Sequence, residues 1–224
     1  VNDFAMCEMK SMKILNLYSG IGGNRKLWSN EHTITAVEYS QDIAEVYQDL
    51  YPNDTVIVGD AHEYLLNNYK NFDFIWASPP CPTHSDIRRC GVHAGQYEAL
   101  YPEMALYQEI ILLQHFAPKN TKWAIENVKP YYEYLIKPTS ILHRHPFWSN
   151  FKIPIYEVKD DRIHNNINGS SEIYGVNLNK YNISNKRKIL RNMVNPEVGK
   201  YILDRALEKP LLIQNSLFEA KQGD

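Results

Sequence analysis

Apolar positions along the chain follow two patterns that take turns. "MKILNLYSG" (12–20) is a short apolar run ending in a glycine turn, the pattern of a buried strand, and "GGNRKLWSN" (22–30) reads as a helix start. "HTITAVEY" (32–39) is a second strand, with β-branched alternation and an acidic end. "SQDIAEVYQDLY" (40–51) has apolar residues at helical spacing behind Ser40, a good N-cap. "DTVIVGD" (54–60), "FDFIWAS" (72–78) and "KWAIENV" (122–128) are further strands. Between them "AHEYLLNNY" (61–69) and "LYPEMALYQEIILLQHF" (100–116) are helices. Strands alternating with helices predict an α/β, doubly wound, Rossmann-like sheet. Past residue 150 the pattern fades into the polar, Asn-rich stretch 160–188, and "NPEVGKYILDRALEK" (195–209) restores a helix with Pro196 in its first turn. The first eleven residues read as a leader or extension outside the fold.

In doubly wound sheets, ligands bind outside the carboxyl ends of the strands. Here those ends read "YSGIGG", "VEY", "VGD", "SPPC" and "ENV", which map five polar or glycine signals to one rim. Gly20, Gly22 and Gly23 let a ligand approach the backbone at a helix start. The third glycine of a dinucleotide fingerprint is absent, because Arg25 stands there, so a pyrophosphate ligand is disfavoured. Glu38 at a strand end can hold ribose hydroxyls, Tyr39 offers a face to an adenine, and Asp60 can accept from its amino group. Together they fit an adenosine-containing ligand.

Composition narrows the picture. The 224 residues carry a net charge of −2, so positive charge for nucleic acid must be local. Three cysteines without C-x-x-C spacing point to a reducing, cytoplasmic setting and not to a disulfide framework. No metal site is expected, and no apolar run has membrane-spanning length. Cys81 sits past a strand end behind two prolines, either a packing residue or a nucleophile on the ligand rim. Glu126 follows a buried apolar run, where a carboxylate is costly unless it is paired or used. A thiolate and a carboxylic acid facing each other suit addition to an electron-poor ring, with the acid assisting at a ring nitrogen.

On these residues the chain resembles the DNA (cytosine-5)-methyltransferases, as a small bacterial or phage-type member. "LNLYSGIGG" is similar to the first family motif, with Tyr18 where Phe is common. "VEYSQDIAEVY", "GDAHEY", "SPPCPTHS" and "IENV" follow in the family order. "LHRHPFWSNF" resembles the arginine motif with one arginine, Arg144, and "LRNMVNPEVGKYI" a contracted last motif in which Asn195 matches. The resemblance spans roughly residues 12–207.

It implies a methyltransferase fold with S-adenosyl-L-methionine over Tyr18, Gly20, Gly22 and Gly23, on Glu38, Tyr39 and Asp60, lined by Pro79 and closed by Asn195. It implies Cys81 adding to carbon 6 of a cytosine swung out of double-stranded DNA. Glu126 would hold the ring's N3 and amine, and Arg144 would contact the base or support Glu126. Ser85, Arg88 and Arg89 in the loop after Cys81, with Lys186, Arg187 and Lys188, are the expected DNA contacts. The expected organisation is a core over 12–150, a reduced target-recognition segment over 151–187, the last motif over 188–207 and a tail over 208–224. So short a segment predicts a relaxed recognition sequence or a partner. In the tail, Gln214–Phe218 ("QNSLF") resembles the peptide that docks bacterial proteins on the replication sliding clamp. A tRNA-methylating enzyme and a non-catalytic binding relative are the competing readings. The intact Cys81 and Glu126 speak against the second.

Overall fold

A computed structural model describes residues 11–142, 145–155 and 175–209. Seven strands form one sheet in the order β3-β2-β1-β4-β5-β7-β6. They are β1 (Lys13–Leu17), β2 (Thr33–Glu38), β3 (Thr55–Val58), β4 (Phe74–Ala77), β5 (Lys122–Glu126), β6 (Ser140–Leu142) and β7 (His145–Ser149). The first five run parallel, while β7 pairs antiparallel with both β5 and β6. The five parallel strands are those expected from the sequence. The β6–β7 hairpin is an addition.

Alternation along the strands explains the two cores. Ile14, Phe74, Trp76, Ala124 and Phe147 face one side, and Leu15, Leu17, Ile75, Ala77, Ile125 and Trp148 face the other. Helices α2 (Ala61–Asn68) and α4 (Ala105–Phe116) cover the second side through Leu65, Leu106, Tyr107, Ile110 and Leu113. The first side is covered by Trp28 and by the helix at 196–206, through Tyr201, Ile202, Leu203 and Ala206. Helix α1 (Gln41–Leu50) packs near β2 and β3, and its Val46 joins Ile21, Val176, Leu178 and Leu190 in a third cluster.

Three elements depart from the expectation. The helix start at 22–30 is one 3₁₀ turn, Asn24–Leu27. Its side chains are spent inward: Asn24 and Asn16 exchange amide hydrogen bonds in the core (2.8 and 3.3 Å), and Arg25 is buried. The loop after Cys81 contains a helix, α3 (Asp86–His93), capped by Ser85, whose Oγ accepts from the Arg88 N–H. The helix expected over 100–116 begins only at Ala105.

Near the end come α5 (Lys186–Arg191) and α6 (Pro196–Ala206), the latter with Asn195 as N-cap and Pro196 at its first position. Helix α6 lies so close to the 3₁₀ turn that a Cβ on Gly199 would meet the Asn24 carbonyl oxygen at 2.3 Å. No helix of the described residues is long and apolar enough to cross a membrane.

Candidate active site

The carboxyl ends of β1, β2, β4 and β5 bring the candidate residues together. At the end of β1 the backbone alternates through the left-handed region at Tyr18 (φ 54°), Gly20 (φ 54°) and Gly22 (φ 78°). Glycine serves twice here. At Gly20, no atom of the described residues lies within 4 Å of where a Cβ would stand, which leaves an open cradle. At Gly23 the opposite holds: a Cβ would lie 2.4 Å from Met193 Cγ and from the Val194 carbonyl, so the segment leading to Asn195 is pressed onto the loop.

Tyr18 tolerates its positive φ because its hydroxyl is anchored, donating to Glu109 Oε1 at 2.5 Å. Burial and the neighbouring carboxylate push the Tyr18 phenol up, and burial raises Glu109 as well. Glu109 also meets His62 Nδ1 at 3.0 Å, which holds His62 above the usual imidazole range.

Glu38 is fixed on both oxygens, accepting from the Gly20 N–H (Oε2, 3.0 Å) and the Ser40 N–H (Oε1, 3.0 Å). Each oxygen keeps a lone pair for a ribose hydroxyl. Ser40 caps α1 without a side-chain hydrogen bond. Tyr39 is 80% exposed and presents a bare ring. Asp60 spends Oδ1 on the N–H groups of His62 and Glu63 as the N-cap of α2. Its second oxygen has no partner among the described residues. Open space at Gly20, an anchored carboxylate at Glu38 and an exposed ring at Tyr39 fit an adenosine cofactor; Pro79 is buried and Asn195 is occupied capping α6 (2.7 Å to the Glu197 N–H).

Cys81 is held from β5. Asn127 is buried and donates from Nδ2 to the Pro79 carbonyl at 2.9 Å, while its own N–H reaches Pro146 of β7. One side chain thus ties the Pro-Pro-Cys turn to the strand carrying Glu126. Below the turn, the His84 N–H donates to the Cys81 carbonyl at 3.0 Å, and the buried His84 ring meets the Tyr132 hydroxyl at 2.5 Å. Burial keeps His84 below the usual imidazole range. Neither Asn127 nor His84 was assigned a role from sequence. The "ENV" triplet held the signal for Asn127, since a buried amide beside a Pro-rich turn must find partners.

Glu126 is 9% exposed, and its Oε1 meets Nδ1 of His145 on β7. The sequence reading turned to Arg144 at this place. Arg144 lies outside the described residues, as do Gln214–Phe218 and most of 151–187. Desolvation by burial, then the Glu126 charge, push the Cys81 thiol up, and Lys188 of α5 pulls it partly back. The thiolate must therefore be called up by raising pH or by a bound ligand. In the free protein, alkylation of Cys81 by iodoacetamide, followed in a Cys7→Ala, Cys90→Ala variant, should keep accelerating about tenfold per pH unit beyond the pH at which an ordinary thiol levels off. A plateau near neutral pH would contradict this.

The arginines after Cys81 are engaged within the chain. Arg88 donates to the Glu98 carbonyl at 2.9 Å and stacks over Tyr97, and Arg89 pairs with Asp86 at 3.0 Å beside Tyr131. Lys188 and Arg187 are exposed on α5, and Lys186 is half-buried. Among the described residues no group of three His, Cys, Asp or Glu side chains is placed to hold a metal ion. Two surface clefts of about 430 and 470 Å³, one between α1 and residues 180–183 and one beside α4 and β7, both lie away from Cys81.

A parallel sheet with an antiparallel seventh strand, a glycine turn after β1 and a Pro-Cys turn on the strand beside a buried glutamate make up the candidate site. The C-5 cytosine-specific DNA methylase family model matches residues 12–131, more than half of the chain, and the protein belongs to that family. S-adenosylmethionine is its cofactor. A human tRNA (cytosine(38)-C(5))-methyltransferase is 26% identical over 154 residues, 59% of this chain; the chain spans 39% of that relative's length. Among solved structures, a putative methyltransferase from Escherichia coli matches with 13% identity and a TM-score of 0.40, over 62% of this chain and 75% of that one. A SAM-dependent methyltransferase from Agrobacterium tumefaciens matches with 13% identity and a TM-score of 0.40, over 55% and 40%.

Proposed function

We propose that this protein methylates carbon 5 of cytosine in double-stranded DNA through a covalent Cys81 adduct. The observation that carries the reading is Cys81 and Glu126 on adjacent strand ends, coupled in charge and tied together by Asn127, one strand from the open Gly20 cradle. Bound S-adenosylmethionine supplies a methyl group on a sulfonium centre. Glu38 and Tyr39 hold its adenosine, Pro79 lines the pocket and Asp60 offers its uncommitted oxygen to the adenine amino group. Cys81 adds to carbon 6, which makes carbon 5 nucleophilic, and Glu126 steadies N3 and the amine. That pairing accepts cytosine and leaves thymine, which presents a carbonyl in place of the amine, mismatched. The base must leave the stack to reach these groups.

The DNA contacts are the basic face of α5 and the α3 segment, where Ser85, Arg88 and Arg89 stand among exposed Ile87, Tyr97 and Tyr101. Lys188→Ala should weaken nucleic-acid binding alike on all sequences and lower the slope of log K against log salt by about 0.9, read by fluorescence anisotropy from 50 to 200 mM salt. An unchanged slope would remove Lys188 from the interface. A phage or restriction-modification setting suits so reduced a recognition segment, and the Gln214–Phe218 peptide would tether the enzyme to the sliding clamp. Truncation at residue 210 should then abolish clamp binding.

The human tRNA methyltransferase among the relatives favours one second reading, a tRNA substrate. Parallel tritiated methyl transfer to duplex DNA and to tRNA, with base-resolution sequencing, separates the two. Label on DNA cytosine supports the proposal. Label confined to tRNA replaces it.

A further inference from the structure

The Glu126 carboxylate has one partner among the described residues, and that partner can itself gain and lose a proton. Strands β5 and β7 run antiparallel with Glu126 opposite Phe147, so His145, two residues before Phe147 on the same face of β7, reaches back along the sheet. Its Nδ1 lies on Glu126 Oε1. The two ends of the contact are unequal. The Glu126 side chain is 11% exposed, while that of His145 is 37% exposed. Glu126 Oε2 and His145 Nε2 have no hydrogen-bond partners among the described residues. One end of the pair thus has an oxygen left over for a base, and the other reaches solvent.

The work asked of Glu126 is a proton's work. As the Cys81 Sγ lone pair forms the bond to carbon 6, the C5=C6 pair moves to C4–C5 and the C4=N3 pair settles on N3. N3 then needs a proton, which a fixed cation beside the carboxylate would orient but never supply. An imidazole differs, because it exchanges protons with water at the pH of the reaction. A buried carboxylate left alone would be slow to recover the proton it gives.

We propose that Glu126 and His145 form a dyad sharing one proton, in which Glu126 passes the proton to N3 of the cytosine as Cys81 adds, and His145 restores it from solvent. When carbon 5 later loses its proton to water and the C6–S electron pair leaves with the thiolate, the N3 proton returns to the dyad and His145 releases one proton to solvent, so the dyad ends with the one proton it began with and the net release is the single proton from carbon 5. His145 is a positioning and proton-relay residue: it acts through Glu126 and does not touch the base. Two charged groups act on the Cys81 thiol that adds to the base: Glu126 of the dyad itself and, from another element, Lys188 of α5. The proposal rests on the cytosine-methylation reading.

Two measurements test it, one of them independent of turnover. In the free protein, nitrogen-resolved NMR of the His145 ring should show a hydrogen on Nδ1 with the downfield proton shift of a hydrogen bond to a carboxylate. Glu126→Gln should remove that downfield signal, because the carboxylate that accepts it is gone. A signal unchanged in the variant overturns the dyad, whether or not any substrate is methylated. Single-turnover methylation across pH 6–10 is the second test. His145→Arg keeps a cationic donor that does not exchange its proton, and should change the shape of the profile and not only its height. His145→Gln should lower kcat about 10- to 100-fold with KM for the nucleic acid changed less than threefold. Profiles that superimpose on the wild type after correction for amplitude would reduce His145 to a packing residue. If wild-type protein transfers no methyl group to DNA or tRNA, the functional reading fails while the NMR result still decides the dyad.

Discussion

Cys81→Ala should abolish methyl transfer, lowering single-turnover rates by at least about 10³-fold, while the protein stays folded and still binds its cofactor. The reason lies in what Cys81 does and does not support. Its side chain is half-buried on a turn that is held by backbone and by Asn127, so no core contact depends on the sulfur. Among the described residues the lost nucleophile has no stand-in, because Cys90 is exposed on α3 and the nearby hydroxyls of Ser78 and Ser85 are engaged, one by Trp76 and one by the helix cap. Two readouts separate chemistry from folding. Isothermal calorimetry should give unchanged S-adenosylmethionine affinity. A duplex with fluorine at carbon 5 of the target cytosine, which cannot lose a proton there, should become covalently bound to wild-type protein and not to the variant. Persistent transfer by Cys81→Ala would end the covalent mechanism.

The second large effect is on stability. Arg25→Ala should destabilise the fold by about 3–5 kcal/mol, a fall of roughly 6–20 °C in Tm. Arg25 and Asp54 are each 3% exposed. The guanidinium makes a two-pronged pair with Asp54 (2.8 and 3.1 Å), donates to the Trp28 carbonyl and to Asn30, and lies over the Tyr51 ring. Removing it strands a buried carboxylate whose remaining support is the Tyr47 hydroxyl at 2.9 Å. Burial already pushes the Tyr51 phenol up to about 12. The double variant Arg25→Met, Asp54→Leu should recover most of the loss, since an apolar pair needs no compensation. Thermal melts followed by circular dichroism decide it. A single variant that melts within 2 °C of wild type would contradict the account.

Arg25 also shows what sequence could and could not give. Read along the chain, it marked the missing third glycine of a dinucleotide fingerprint and made a pyrophosphate ligand less favoured. Its partner Asp54 is 29 residues away, and nothing in the local pattern announces a buried pair. The parallel strands were legible because each is a near-continuous apolar run ending at a polar or glycine signal, the pattern of strands buried on both faces. The β6–β7 hairpin was not, because "SIL" and "HPFWS" are short and one holds Pro146, which argues against a strand.

Helix α3 hid behind a polar composition and Gly91, although Ser85 followed by Asp86 is an N-terminal signal. Of the candidate site, the strand-end positions of Glu38, Asp60, Cys81 and Glu126 were legible. His145 was not, because the arginine beside it drew the reading. Only the register of β7 against β5 places the imidazole on the carboxylate.

The way α6 closes over the 3₁₀ turn bears on how the molecule comes into being. Trp28 Nε1 donates to the Gly199 carbonyl across 171 positions, and the Met193–Val194 backbone seals Gly23. The candidate cradle thus joins residues from the opening of the fold to residues synthesised long after them. On a translating ribosome, β1 to β5 can pair and collapse while the cradle still lacks its far wall. At that stage Ile14, Trp28, Phe74 and Trp76 have no helix over them. The emerging chain should therefore be both inert and in need of chaperone cover until α6 leaves the exit tunnel. On the proposed reading, methyl-donor binding would wait for the same late segment.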